Sequence, residues 1–454
     1  MRGIVGWGAH VPHRRLDRTQ IAPVAGTGGG KGTRAVASYD EDSTTMAVEA
    51  ARACLASVDV VPDSVWFATT SPAYLDKTNA TAIHAALRLD RTARAFDAIG
   101  SVRSTVAALV ATGESHKPAL AVASDVRVGR PGSPDEAAGG DAAAAVLWGD
   151  ESDAPLLAEF VAYAGVTEEF LDRWRTPGDP GSKLWEERFG ETKYGPLAAE
   201  ALKIALGYAQ IGPESIDALV IAGLHERACA SAAKASAVAP EKIVDRLASS
   251  VGNPGAAQPL LLLTQALEAA RPGQTIVMLV LSDGADAMVL RTTDAIASYA
   301  PHRPVHAQLM AGAPVTYGRY LSWRGLLPVE PPRRPEPARP SASAAGRSTD
   351  WKFGLDGSSG ALADQRGTVT TFTIDKLAYS QSPPVVFAVV DFDNGKRLPV
   401  ELTDVDAGEV AIGMRVEMTF RKLFTSDGIA NYFWKARPLR TESDSPTERT
   451  EVGS

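Results

Sequence analysis

Cysteine is nearly missing from this chain: Cys54 and Cys229 are the two in 454 residues. So few thiols exclude a cysteine-rich zinc site, and they fit a reducing compartment, so a cytoplasmic location and no bound metal are expected. Long apolar runs are missing too. Pro259 to Leu263 and Ile276 to Leu281 are far too short to cross a bilayer, which argues against a membrane protein. The opening MRGIVGWGAHVPHRRL has only a brief apolar stretch before His and Arg, and reads as a first strand rather than a signal peptide. Positive charge is in deficit. Lys and Arg number 46 against 54 Asp and Glu, and the net charge of -8 argues against nucleic acid as a partner. A nucleotide P-loop is absent as well. The glycine-rich run Gly26 to Ala35 has Ala25 where the motif needs its first glycine, and Gly32 follows Lys31 where Ser or Thr is required.

What is present is organised around RAFDAIGSVRSTVAAL, Arg94 to Leu109. It reads as a short strand, a tight turn at Gly100-Ser101 and a helix of small residues. The side chain at 101 then sits at a helix N-terminus, where free amides and the positive dipole end suit a nucleophile or an oxyanion. Upstream, Asp40-Glu41-Asp42-Ser43 opens a helix, with Met46, Ala50, Ala53 and Cys54 at helical spacing, so Cys54 is expected in the core. Val65 to Thr69 is a strand leading to Thr70, and Ala119 to Ala123 and Ala142 to Trp148 are two more.

The pattern then repeats. A helix through Leu197 to Tyr208, a strand at Ala218 to Ala222 ending near His225, a turn at Ser250 to Asn253, a helix from Leu260 and strands at Ile276 and Ala287 echo the first copy. Two copies predict a duplicated α/β body with the site where the halves meet. Cys229 is expected to be packing. Glu168 to Tyr194, rich in Trp, Arg, Glu and Pro, reads as an insertion, a lid or a dimer contact. From Pro328 the proline-rich VEPPRRPEPARP predicts a tether. Beyond it five short strands, with Asp393-Asn394-Gly395 as a hairpin turn, predict a small barrel of OB type. The expected division is residues 1–165 and 166–314 for the two halves, 315–350 for the linker, 351–440 for the barrel and 441–454 for a disordered tail.

YDEDSTTMAVEAA, the turn at Ser101, GGDAAAAVLWGD, VGNPGAAQPLLLL and SDGADAMVL together resemble the HMG-CoA synthase-like branch of the thiolase superfamily. GTVTTFTID, PPVVFAVVDF and YFWKARP resemble the OB-fold proteins that accompany such enzymes, here without their four-cysteine zinc ribbon. The resemblance implies a thiolase-like αβαβα body with a C-terminal OB-fold barrel, a CoA thioester as substrate with no bound cofactor, a homodimer and a thiolase or other acyl-CoA enzyme as partner. By position Ser101 stands in the slot of the family's Cys nucleophile and Thr70 at or near that of its Glu. His225 and Asn253 match its His and Asn. Lys31 and Arg34 are candidate contacts to the CoA phosphates, although a plain surface loop is the other reading of their stretch; Gly252 and Gly284 are expected at the substrate.

A serine hydroxyl needs an adjacent base where a thiolate does not, so covalent acyl transfer through Ser101 is not expected. The surviving oxyanion donors suit a thioester enolate, which implies a retro-aldol lyase acting on a β-hydroxyacyl-CoA. An HMG-CoA synthase-like acyltransferase and a non-catalytic scaffold are the alternatives. Tyr74 and Asp97 are the candidate bases nearest the turns.

Overall fold

The structure is a computed structural model and describes residues 1–330, 362–378 and 380–440. The proline-rich stretch 331–350, the first residues assigned to the barrel, 351–361, and the tail at 441–454 lie outside the described residues.

The first half runs β1 (Arg2–His10), β2 (Arg14–Asp17), α1 (Ala22–Ala25), β3 (Thr33–Val36), α2 (Ser43–Leu55), β4 (Ser64–Thr69), α3 (Ala80–Ala86), β5 (Arg94–Ile99), α4 (Arg103–Gly113), β6 (Ala119–Asp125), α5 (Pro134–Ala138) and β7 (Ala142–Asp150). The second runs β8 (Ala158–Thr167), the hairpin β9 (Arg173–Trp174) and β10 (Lys183–Leu184), α6 (Glu187–Ala209), β11 (Ala218–Gly223), α7 (Glu226–Ala235), α8 (Gln258–Ala269), β12 (Thr275–Leu281) and β13 (Gly284–Thr292). After these come α9 (Val305–Met310), β14 (Ala313–Val315) and α10 (Tyr317–Trp323).

The main strands form one nine-stranded sheet in the order β11-β12-β13-β8-β1-β7-β6-β4-β5. The order repeats about its centre. In the first half β4 pairs in parallel with β5 and β6; in the second β11 pairs in parallel with β12, and a lone parallel bridge from Leu219 to Ile243 stands where β5 would be. The halves join where β1 meets β8 through Gly3 opposite Glu159 and Ile4 opposite Ala158.

Strand alternation sorts side chains into layers. On β6, Leu120 and Val122 pack with α2 and α3, while Ala121 and Ala123 pack with α4 and α8. On β12, Ile276, Met278 and Val280 face the shared middle layer, and Val277, Leu279 and Leu281 face α6 and α7. The result is helix, sheet, helix, sheet, helix, as expected. Leu260 to Leu263 of α8 are buried all round the helix, as a central layer requires.

Two boundaries differ from the sequence reading. β8, the second-half copy of β1, begins at Ala158, inside the stretch assigned to the first half. The stretch expected as linker from 315 opens with α10, whose Tyr317, Tyr320 and Leu321 are buried against Leu16, Ile21 and Val36.

The carboxy-terminal strands β15 (Arg366–Asp375), β16 (Val385–Phe392), β17 (Arg397–Leu402), β18 (Arg415–Ser426) and β19 (Ile429–Pro438) close a barrel in the order β15-β16-β17-β19-β18. Gly395 turns β16 into β17 with φ of 83°, the conformation its hairpin needs. Phe420, Tyr432 and Trp434 pack together inside, while Phe387 is 47% exposed.

The barrel sits on α2. Asp42 caps that helix, accepting from the Thr45 amide at 2.9 Å. Asp40 and Glu41 have another use. Asp40 lies 3.0 Å from Lys435, and Glu41 lies 3.2 Å from Arg421, both cations coming from the barrel. Glu49, two turns further along, meets Arg437 at 2.8 Å and accepts the Phe420 amide at 3.1 Å. Burial alone would push the Asp40 carboxyl up, but Lys435 and Arg421 hold it below its ordinary value. The acidic run read as a helix start is therefore also the barrel's docking site.

Candidate active site between the two halves

β5 delivers the chain to Gly100, whose φ of 147° only glycine adopts without strain, and Ser101 follows before α4. The Ser101 hydroxyl accepts the Arg103 amide and the Ser101 amide donates to the Ser104 hydroxyl, each at 3.3 Å. Ser101 is thus a helix cap, and its amide, expected as an oxyanion donor, is engaged within the turn. Arg103 ties α4 to the second half, with Nε 2.9 Å from Asp286 and a guanidinium nitrogen donating to the Asp283 carbonyl at 2.7 Å.

Thr70 ends β4 and is gripped by Asp125. That carboxylate accepts the Thr70 amide at 2.6 Å, the Thr70 hydroxyl at 2.7 Å, the Thr69 and Ser71 hydroxyls, and the Ala256 amide at 2.7 Å. Asp125 therefore fixes the turns of both halves to each other.

His225 leaves β11 and caps α7, its Nδ1 accepting the Ala228 amide at 3.0 Å. In the neutral ring that acceptor role puts the proton on Nε2. Gly190 of α6 gives the ring its room, since a Cβ there would stand 2.7 Å from Nε2. Asn253 donates to the Gly223 carbonyl at 2.9 Å and accepts the Gly255 amide at 3.0 Å, so its side chain is held beside the His225 turn. The loop carrying it is pressed onto the first half: the Asn253 amide donates to the Ala138 carbonyl at 2.9 Å. A Cβ on Gly252 would stand 2.3 Å from the Gly139 carbonyl oxygen, so Gly252 serves this close approach.

Thr70, Ser101 and His225 line one cavity of about 630 Å³, and His225 and Asn253 line an adjoining one of about 560 Å³. Four of the sequence candidates therefore converge. The others fall elsewhere. Arg34 is fully buried, donating to the carbonyls of Glu136 and Arg127 and lying 3.4 Å from Asp141, so it has no open face for a phosphate. Lys31 is exposed and lines neither cavity. Gly284 packs against β8, where a Cβ would stand 2.1 Å from the Val166 oxygen, and its neighbour Asp283 is the residue at the cavity wall. Tyr74 accepts the Ala430 amide of the barrel at 2.8 Å, and Asp97 caps α3 by accepting the Asn79 and Ala80 amides; neither lines a cavity around Ser101. Cys54 and Cys229 are buried core thiols, both pushed up by burial, Cys229 to about 11.

The insertion supplies what the sequence reading missed. It crosses the cleft as a strap. Arg173 makes two bonds of 2.8 Å to Asp135, and Arg175 donates to the Thr70 carbonyl at 2.6 Å, so a second-half segment is fastened to the first half. Asp172, on the strap, lines both cavities together with His225. Burial pushes its carboxyl up, a hydrogen bond from Tyr194 works against that, and Asp283 adds to the rise. Burial and the Asp172 carboxylate likewise push the Tyr194 hydroxyl up.

The layered body and the paired turns define the class: this is a thiolase-superfamily fold. Residues 206–292 match the family model described as 3-oxoacyl-[acyl-carrier-protein (ACP)] synthase III C terminal, and residues 361–421 match ChsH2, C-terminal OB-fold domain. Among solved structures, 3-oxoacyl-(acyl carrier protein) synthase III from Pseudomonas aeruginosa PAO1 superposes with a TM-score of 0.56 at 20% identity, covering 64% of this chain and 98% of that one. An HMG-CoA synthase solved with CoA gives 0.60 at 18%, covering 70% of this chain and 89% of that one. Among sequences, the hydroxymethylglutaryl-CoA synthase of Aeropyrum pernix is 32% identical over 72% of this chain and 95% of its own length. That of Methanopyrus kandleri is 30% identical over 72% and 97%. The chain belongs to the hydroxymethylglutaryl-CoA synthase family.

Proposed function

We propose that this protein acts on a carbon–carbon bond of an acyl-CoA thioester without forming an acyl-enzyme, most simply as a retro-aldol lyase on a β-hydroxyacyl-CoA. One observation carries the reading. The Ser101 hydroxyl caps α4, and among the described residues no histidine or carboxylate hydrogen-bonds to it, so nothing prepares it as a nucleophile. Asp172 and His225 meanwhile share both cavities. Asp172, its carboxyl raised by burial, takes the β-hydroxyl proton. The Cα–Cβ bond breaks, the carbonyl fragment leaves, and the electron pair passes to the thioester enolate. His225, with its proton on Nε2, donates to the enolate oxygen, and the proton held by Asp172 passes to Cα, which restores the carboxylate.

The test is intact mass after incubation with acetyl-CoA, beside a product assay with a β-hydroxyacyl-CoA. No adduct and an Asp172→Asn variant without turnover are expected. A stoichiometric acyl adduct on Ser101 would overturn the non-covalent reading. It would promote the condensing synthase, which the identity to hydroxymethylglutaryl-CoA synthases favours as a second reading.

The same reading takes the body as a homodimer. β5 ends the sheet as an edge strand and exposes Phe96 at 39% and Ile99 at 44%, an edge that a second copy would cover. Light scattering of the purified chain tests it, and a monomer would refute it.

A further inference from the structure

The seam between barrel and body holds a cavity of about 610 Å³ that shares no lining residue with the Ser101–His225 cleft. Its volume is that of a small-molecule site. Its wall is cationic. Arg303 comes from the body; Arg366, Arg437 and Arg440 come from the barrel end of the chain; the carboxylates are Asp404 and Glu417.

Those carboxylates are already committed. Glu417 lies 2.9 Å from Arg437, and Asp404 lies 2.6 Å from Arg421. Three arginines are left. The Arg303 guanidinium has Glu49 at 3.8 Å, but Glu49 is already 2.8 Å from both Arg52 and Arg437. Arg440 donates to the Asp404 backbone carbonyl and lies 3.0 Å from His13 Nε2, with no carboxylate in contact among the described residues. Arg366 is exposed, and its guanidinium has no hydrogen-bond partner among the described residues. The neighbours register the excess charge. Burial, and after it the field of Arg440, hold the His13 imidazole down at about 3. Burial, and then Arg437, push the Arg303 guanidinium down to about 10.

A walled cavity with surplus guanidinium forks calls for a multiply charged oxyanion. Phosphate oxygens match the planar fork and accept several charge-assisted bonds at once. The rest of the wall is apolar, with Val11, Pro304, Ala307 and Leu439, and suits an organic portion. We propose that this seam binds a phosphate-bearing anion, held by Arg303 from the body and by Arg366 and Arg440 from the barrel. Occupancy would clamp the barrel to the body. The site stands apart from the cleft around Ser101 and does not rest on the function proposed above.

The experiment is calorimetric titration of the full chain at fixed ionic strength, with pyrophosphate as one probe and a nucleoside diphosphate as the other. Saturable binding of one anion per chain is expected. Arg366→Gln and Arg440→Gln should each weaken it by about tenfold or more, the effect of losing one charge-assisted hydrogen bond. Arg173→Gln, in the other cleft, should leave it unchanged. Tighter binding of the nucleoside diphosphate would assign the apolar wall to an organic phosphate; equal binding would assign the site to the diphosphate alone. No saturable binding at millimolar anion, or binding lost in Arg173→Gln and kept in Arg366→Gln, would overturn the proposal. Arg366 is exposed, so its variant remains informative if Arg440→Gln fails to fold.

Discussion

The Arg421 guanidinium of the barrel lies 3.2 Å from the Glu41 carboxylate of the body, and neither side chain is open to water. The pair belongs to a buried set that also joins Lys435 to Asp40 and Arg437 to Glu49. Removing one member leaves its partner charged and dry. Arg421→Met is therefore expected to cost about 3–5 kcal/mol in a urea unfolding titration, the usual range for breaking a buried ion pair. Ending the chain after Trp323 strips the barrel cations from Asp40 and Glu41 and leaves Glu49 only Arg52 and Arg303 of the body, and the truncated body is expected to aggregate. A soluble, cooperative body without the barrel would show that docking is incidental to folding.

His225 has two jobs that substitutions can separate. It caps α7 through Nδ1, and it stands in the cleft. His225→Asn keeps a capping side chain, while His225→Ala loses about 1 kcal/mol of it. Both should lower turnover of a β-hydroxyacyl-CoA by about 10²–10³, the cost of one oxyanion donor. Equal loss of activity with unequal loss of melting temperature is the expected signature. Full activity in either variant would remove His225 from the chemistry.

Ser101→Ala removes a cap held by a bond of 3.3 Å, so activity is expected to fall by much less than in the His225 variants. Ser101→Cys places a thiol at the N-terminus of α4, where the thiolate is favoured. Intact mass after acetyl-CoA should then show an acetyl adduct that the native chain lacks. The absence of any adduct on the cysteine variant would mean that the cleft does not present a thioester to position 101.

Glu268 provides a pH test. Burial pushes its carboxyl up to about 7, against donation from the Val305 amide. The folded value lies above that of the unfolded chain. The stability this group contributes is thus present below the ordinary carboxylate range and is lost as pH rises towards 7. Unfolding free energies at about pH 5 and about pH 8 should differ less in Glu268→Gln than in the native chain. Equal differences in the two proteins would show that Glu268 does not titrate in that window.

The layered body and the five-stranded barrel were legible because alternation and helical spacing survive in β6, β7, α2 and α8, whose faces are fully buried. The start of the second half was not. β8 carries an irregular burial pattern, and its pairing with β13 shifts register between Val289 and Leu290, which blurs the alternation. In the site, Ser101, Thr70 and His225 were readable because each follows a strand of the duplicated unit, and Asn253 because its turn precedes α8 as the Ser101 turn precedes α4. Asp172 lies on an aperiodic strap, and its place depends on Arg173 finding Asp135 across the cleft, a contact that local sequence does not encode. Arg34 misled because a glycine-rich loop precedes it; its place on β3, with Ala35 and Val36 buried beside it, was the better signal.

The Asn253 loop rests on the first half, and a Cβ on Gly140 would stand 2.0 Å from the Val251 carbonyl oxygen. Position 140 touches no reacting atom. Yet a larger residue there must push Asn253 and the neighbouring His225 turn away from Ser101. In a mutational scan Gly140 should behave like a catalytic position, inactive when substituted although the chain still folds. The two halves are also not interchangeable parts: a chimera joining halves from two relatives would have to keep this glycine's fit together with the Asp125–Ala256 and Arg103–Asp286 contacts.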